Sequence, residues 1–122
     1  MSGLNVVDSS GWLEYFADTE RAEFFAPAIE DIANLIVPTI CIYEVFKKVF
    51  RERGENDAIQ IASMMQAGKA VDLDGSLAIE AGRLPLPLAD NIIYTTAMQH
   101  EATLWTQDEH FKDLPGVRFL AK

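Results

Sequence analysis

The stretch Leu4-Asn5-Val6-Val7-Asp8-Ser9-Ser10-Gly11-Trp12-Leu13-Glu14-Tyr15-Phe16 changes its period halfway. Residues 4–7 read as a short apolar strand, and Ser9 or Ser10 then caps a helix carrying Trp12, Leu13, Tyr15 and Phe16. The same alternation continues along the chain. A second helix is expected at about residues 19–33, then a brief strand at 35–37. Pro38 and Thr39 open a third helix reaching about Arg53, where Gly54 supplies a stop. Ala58, Ile61, Ala62 and Met65 recur at helical spacing, which predicts a fourth helix over residues 56–66, ended by Gly68. A strand at 70–73, a short helix at 76–84, and a longer helix at 88–100 entered through Pro85 and Pro87 come next. Strands at 103–106 and 117–120 complete the count. Strands separated by helices require crossover connections, so the prediction is an α/β fold: a mainly parallel five-stranded sheet with helices on both faces.

Nothing marks a boundary inside the chain. The 122 residues suit one domain over 1–122, long enough to remove roughly two thirds of its unfolded surface from water. No repeat, low-complexity tract or Gly/Ser linker interrupts it. The longest apolar stretch, residues 35–43, is broken by Pro38 and falls short of the ~20 residues that span a bilayer. Residues 1–5 lack a basic segment leading into an apolar one, and the lone Cys41 cannot form an internal disulfide. A reducing cytoplasm and no membrane association are the expectation. Nineteen acidic residues against ten basic give a formal net charge of -9, which repels nucleic acid at long range. Bound divalent cations would reverse that field locally.

Four acids stand out. Asp8 follows the first strand directly and Asp108 lies two residues past the fourth, so both belong to the end of a parallel sheet where ligands gather. Each also has an ordinary reading, Asp8 as a helix cap and Asp108 as a turn residue. Asp90 shares a helix face with Ile93, Tyr94 and Ala97. An unpaired carboxylate in an apolar stripe costs several kcal/mol and demands a metal ion or a cation. The alternative is a first-turn Asp that still reaches water. Glu44 lies opposite the apolar face of its helix (Ile42, Val45, Phe46, Val49, Phe50), in the company of Lys47, Lys48 and Arg51. On its own, a solvated Glu44–Lys48 pair explains it.

Taken together these pieces resemble a known family. Val6-Val7-Asp8-Ser9-Ser10, Ile42-Tyr43-Glu44-Val45, Leu86-Pro87-Leu88-Ala89-Asp90 and Thr106-Gln107-Asp108-Glu109-His110-Phe111 occur in the order and spacing of PIN domains, and resemble the VapC branch of toxin–antitoxin toxins especially. The resemblance covers essentially the whole chain. It departs at Asn91, where the family more often has a small apolar residue, and at Tyr94, where it often has Ala. The resemblance implies a single PIN-like nuclease domain and a metal-dependent endoribonuclease that cleaves RNA phosphodiester bonds. Asp8, Glu44, Asp90 and Asp108 are its catalytic and metal-binding residues, and Mg²⁺ or Mn²⁺ its cofactor. It also implies a cognate antitoxin protein, docked in a groove formed by whichever of Trp12, Tyr15, Phe16, Phe24 and Phe25 stay exposed, and a homodimer. The residue chemistry agrees: carboxylates are hard ligands suited to Mg²⁺ or Mn²⁺, and no Cys/His cluster suggests zinc. Ser9 and Thr106 are candidate hydroxyls for orienting Asp8 and Asp108. His100 and His110 have no partner at a diagnostic spacing and read as surface or loop histidines.

Other acidic α/β domains fit less well. A receiver domain needs adjacent acids after the first strand, whereas Asp8 precedes two serines, and an Asp-x-Asp phosphatase fails at Ser10. The stronger competitor is a PIN-like domain kept as a catalytically weak binding module regulated by a protein partner.

Overall fold

The computed structural model of the chain describes residues 3–122. Five strands, β1 (Asn5–Val7), β2 (Leu35–Pro38), β3 (Lys69–Val71), β4 (Thr103–Thr106) and β5 (Val117–Phe119), form one sheet in the order β3-β2-β1-β4-β5. Every neighbouring pair is parallel. The α-helices are α1 (Ser9–Phe16), α2 (Ala22–Ile29), α3 (Thr39–Arg53), α4 (Glu55–Met65), α5 (Gly75–Ala81) and α6 (Leu88–Gln99). The expected α/β class is therefore the observed one.

β1 and β2 carry the apolar residues that parallel strands need when both faces are covered. Val6, Val7 and Val37 are fully buried, as is Leu104 of β4, and they meet Trp12, Phe25, Val45, Ile93 and Ala97 from the helices. Burying each large aliphatic or aromatic side chain contributes about 1.5–3 kcal/mol. Gly11 lets α1 come close: a Cβ there would stand 2.6 Å from the Phe25 ring and 2.7 Å from Val7 Cγ1. Gly54, with φ 92°, ends α3 as its spacing suggests.

The second helix is shorter than its periodicity indicates. Asp18 adopts φ 52° and breaks the chain after α1, and Thr19 Oγ1 accepts the Arg21 N–H at 3.2 Å, so residues 19–21 form a turn. After α2 the backbone leaves helical geometry at Asp31 (φ -88°, ψ 67°) and passes through a short 3₁₀ turn, Ile32–Asn34. The other element boundaries differ from the expected ones by a few residues at most.

The strand order fixes where the chemistry gathers. The chain lays β2 and β3 on one side of β1, then returns to lay β4 and β5 on the other, so the winding reverses between β1 and β4. Loops at the carboxyl ends of these two strands diverge and leave a crevice. Among the described residues no helix is long and apolar enough to cross a membrane.

Candidate functional site

Asp8 and Asp108 leave the sheet on either side of that crevice. Val7 is in register with Trp105, and the Asp8 N–H continues the ladder by donating to the Trp105 carbonyl at 3.2 Å. This sets Asp8 beside Thr106, whose hydroxyl donates to Asp8 Oδ2. Asp8 Oδ1 accepts from the Gly11 N–H at 3.0 Å and from Ser10 Oγ at 2.9 Å. Asp8 is thus the N-cap of α1, a position where Ser9 or Ser10 was expected. It is 3 % exposed. Burial dominates its ionisation and lifts the carboxyl from 3.8 to about 6, against the pull of its three hydrogen bonds, with the charge of Asp108 adding to the rise.

Asp108 is held from both sides of its backbone. Its N–H donates to Thr106 Oγ1 at 2.9 Å, while its Oδ1 accepts the His110 N–H at 2.9 Å and caps a 3₁₀ turn, Glu109–Phe111. Phe111 pins that turn, being fully buried and stacked on Tyr94 with ring centroids 6.3 Å apart. Gln107, between Thr106 and Asp108 in the sequence, is buried. Its amide donates to Glu14 Oε2 at 2.8 Å and its carbonyl accepts from Arg21 Nε; Arg21 also binds the Leu120 and Ala121 carbonyls. This strap ties the β4 exit to α1 and to the C-terminal segment.

Asp90 enters from the first turn of α6. The departure at Asn91 has a clear role: its side chain binds the Leu86 N–H at 3.0 Å and the Leu84 carbonyl at 2.9 Å, fixing the proline loop that feeds the helix. Tyr94 likewise donates its hydroxyl to the Pro115 carbonyl at 2.7 Å. Ile93, Tyr94 and Ala97 are buried, as their stripe predicts, and Asp90 stands at its edge with its side chain 15 % exposed. Burial raises the Asp90 carboxyl above the usual carboxylate range, and the charges of Asp108 and Glu44 push the same way.

His110 is the residue that sequence reasoning missed. It is exposed, as expected, yet its Nδ1 lies 2.7 Å from Asp90 Oδ2 and 3.2 Å from Asp108 Oδ1. Its imidazole is raised above 6.5, chiefly by the hydrogen bond to Asp90 and then by the charge of Asp108. Asp90, Asp108 and His110 are the one group of three metal-ligating types among the described residues whose ligand atoms all lie within 4.8 Å of one another. Only the spacing of His110 two residues beyond Asp108 signals it in the sequence, and that signal is uninformative until Asp90 is known to face it.

Glu44 and Asp8 lie outside that group of three, although the charge of Glu44 acts on Asp90 and that of Asp108 on Asp8. The Ser9 hydroxyl donates to Glu44 Oε1 at 2.6 Å, so Ser9 orients Glu44 rather than Asp8, and Ser10 takes the expected place beside Asp8. The Glu44–Lys48 pair does not form; Lys48 instead meets Glu52 at 3.1 Å. Lys47, Lys48 and Arg51 line a shallow cavity next to Glu44. Cys41, fully buried below this corner, is a neutral thiol because burial pushes it far up, which removes it as a nucleophile. Among the described residues no Lys or Arg forms an ion pair with Asp8, Glu44, Asp90 or Asp108.

Comparisons with known proteins agree with this architecture. No curated protein matches by sequence. Among solved structures, a chain of a toxin–antitoxin complex from Klebsiella pneumoniae superposes with a TM-score of 0.75 at 21 % identity, over 93 % of this chain and 95 % of that one. Mycobacterium tuberculosis VapC20, described as a sarcin-ricin loop cleaving toxin, gives 0.74 at 13 % identity, over 93 % and 96 %. A chain of DNA-bound VapBC from Salmonella typhimurium gives 0.72 at 15 % identity, over 96 % of both. At these identities the likeness is one of fold. The family profile of the PIN domain matches residues 6–117, nearly the whole length, and the chain belongs to the PIN domain family.

Proposed function

We propose that this PIN domain is a divalent-metal-dependent endoribonuclease acting in the cytoplasm as the toxin of a toxin–antitoxin pair. The observation that carries the reading is that Asp90 and Asp108 lie together, with the charge of Asp108 acting on Asp8 and that of Glu44 on Asp90, none of the four has a Lys or Arg partner among the described residues, and burial raises two of them. Like charges gathered in a partly dry site are costly unless a cation joins them. A set of carboxylate oxygens is hard and fits Mg²⁺ or Mn²⁺. Asp90 and Asp108 would hold the ion directly, with Asp8 and Glu44 binding it directly or through water. When bound, it would supply a water of lowered pKa and neutralise charge developing on the phosphate.

The chain's own residues do the rest. Thr106, Ser10 and the Gly11 N–H fix the Asp8 carboxylate, Ser9 aims Glu44, and Asp90 keeps one carboxylate oxygen outside the His110 bond for a proton from the attacking water. Lys47 and Arg51, beside the Lys48–Glu52 pair, would meet phosphate oxygens of an RNA strand entering past Glu44. An apolar groove of about 360 Å³ lined by Trp12, Tyr15, Phe16, Ile29, Ile32 and Met64 suits an antitoxin segment, and the net charge of -9 suits a basic one. Leu73 and Leu88, exposed around a second apolar depression, favour a homodimer.

The test is cleavage of a labelled single-stranded RNA with added Mg²⁺ or Mn²⁺, then with excess EDTA. Loss of cleavage in EDTA and its return on adding metal are expected. Undiminished cleavage in EDTA overturns the mechanism, and tight metal binding with no cleavage of any RNA offered favours the binding-module reading instead.

A further inference from the structure

We infer that His110 is itself a ligand of the metal centre, so that this PIN domain holds its ion through an O,O,N set and prefers Mn²⁺ to Mg²⁺. The inference rests on the metal-dependent reading above and adds a residue outside the four acids.

Neighbouring donors around an octahedral ion with bonds of 2.0–2.1 Å stand about 3 Å apart. His110 Nδ1 is 2.7 Å from Asp90 Oδ2 and 3.2 Å from Asp108 Oδ1. The imidazole edge thus already spans the separation that two adjacent coordination edges require. A cation replacing the shared proton needs only a small outward shift of the ring, and the ring is free to make it because its side chain is 54 % exposed. The backbone meanwhile is fixed: the His110 N–H is bound to Asp108 Oδ1, and Phe111 next to it is fully buried. The remaining ring nitrogen, Nε2, has no hydrogen-bond partner among the described residues, so a shift of the ring gives up only its Nδ1 contacts, which the cation replaces.

Chemistry then sets the preference. Mg²⁺ is served by carboxylates and water, whereas imidazole raises affinity for transition ions in the order Mn²⁺ < Fe²⁺ < Co²⁺ < Ni²⁺. One neutral nitrogen added to carboxylates therefore favours Mn²⁺ without excluding Mg²⁺. A residue acting only as a hydrogen-bonding clamp on the two acids would affect both ions alike.

The chain has two histidines, which makes the test clean. The protein is labelled with ¹⁵N-histidine, loaded with Mn²⁺ in mildly alkaline buffer, and examined by pulsed EPR for nitrogen modulation on the Mn²⁺ signal. Mn²⁺ and Mg²⁺ affinities are measured in parallel by titration calorimetry. The expected result is ¹⁵N modulation that disappears in His110→Ala and persists in His100→Ala, with Mn²⁺ affinity falling at least about tenfold in His110→Ala and Mg²⁺ affinity changing by less than about threefold. Mn²⁺ bound with no nitrogen modulation, or equal losses for the two ions, overturns the His110 assignment and leaves the metal-dependent reading standing. Failure of Mn²⁺ to bind the wild-type protein overturns both.

Discussion

Asp8 and Asp90 are both carboxylates raised by burial, yet they are built in contrasting ways. Asp8 has every nearby oxygen engaged by the protein: Ser10, the Gly11 N–H and Thr106 all donate to it. Among the described residues Asp90 has one side-chain partner, the ring of His110, itself exposed. A carboxylate held by three internal donors is a fixed post, defining the shape of the site whether or not a cation is present. A carboxylate held by one movable imidazole exchanges that partner for a ligand at little cost. The difference suggests a division of labour in which Asp8 sets geometry and Asp90 with Asp108 does the gripping.

The largest effect that would break this contrast concerns activity. Asp90→Asn removes a gripping charge while keeping shape, so cleavage should fall by more than about 100-fold, since even outer partners of metal ligands are worth 10–100-fold. The fold should survive, because Asp90 is at the stripe's edge and its loop is held by Asn91. A variant retaining wild-type turnover would remove Asp90 from the site. Asp8→Asn should also cut activity severely, but its signature lies in stability.

That signature depends on pH. The folded Asp8 carboxyl titrates at about 6 against an ordinary 3.8, so between those values the folded protein binds more protons than the unfolded chain and stability falls as pH rises. The cumulative loss from this group is of the order of 3 kcal/mol. Asp90, raised too, adds in the same direction. His110, raised above 6.5, stabilises the fold below that value and loses its contribution as pH climbs through its folded pKa. Melting temperatures in EDTA should therefore decline from about pH 4 through neutrality, and Asp8→Asn should flatten the decline. At neutral pH that variant should be more stable than wild type by about 1 kcal/mol, less than the full relief because the Thr106 hydroxyl loses a charged acceptor. A melting temperature that rises across the window contradicts the burial of Asp8.

How much of this was readable beforehand follows from the range of the forces involved. Strand–helix alternation is a local property, and it was legible at every element. The failures are local competitions that periodicity does not register, such as the turn that Thr19 and left-handed Asp18 insert before α2. Asp8 and Asp108 were legible as post-strand acids because the end of a strand is a place in sequence as well as in space. Their ordinary readings also hold, since Asp8 caps α1 and Asp108 caps a 3₁₀ turn, so capping coincides with the proposed site roles rather than competing with them. Glu44 looked solvated because helical phase describes one helix alone, and only the packing of α1 beside α3 shows that Ser9 faces it. His110 was hidden for the same reason, since its partner Asp90 is twenty residues away on another element.

A smaller effect sharpens the role of the fixed post. Thr106 is fully buried and its hydroxyl both donates to Asp8 and accepts from the Asp108 N–H. Thr106→Val keeps the shape and strands that N–H without its acceptor, for a loss of about 1–3 kcal/mol in unfolding free energy. Without its donor Asp8 should titrate higher still, so the pH-dependent decline should steepen. A valine variant with wild-type stability and an unchanged profile would mean that this link between β1 and β4 is inert.

The smallest expected effect tests whether Glu44 belongs to the grip or to the post. Its one side-chain tether among the described residues is the Ser9 hydroxyl at 2.6 Å, on a part-buried surface where a hydrogen bond to a charged group contributes about 1.5–3 kcal/mol at most and less when water can replace it. Ser9→Ala should therefore lower the melting temperature only slightly. If Glu44 grips the ion, its carboxylate re-forms the contact once a cation is present, and the activity lost through the missing tether, about tenfold or less, should be recovered by raising the Mn²⁺ concentration. If Glu44 is a post, orientation is lost whatever the metal concentration, and saturating Mn²⁺ leaves turnover reduced. Ser10→Ala is the matched control, because it removes a donor from Asp8, which has two others. Its small activity loss should not respond to metal, and a Ser10→Ala variant rescued by Mn²⁺ as fully as Ser9→Ala would erase the distinction between grip and post.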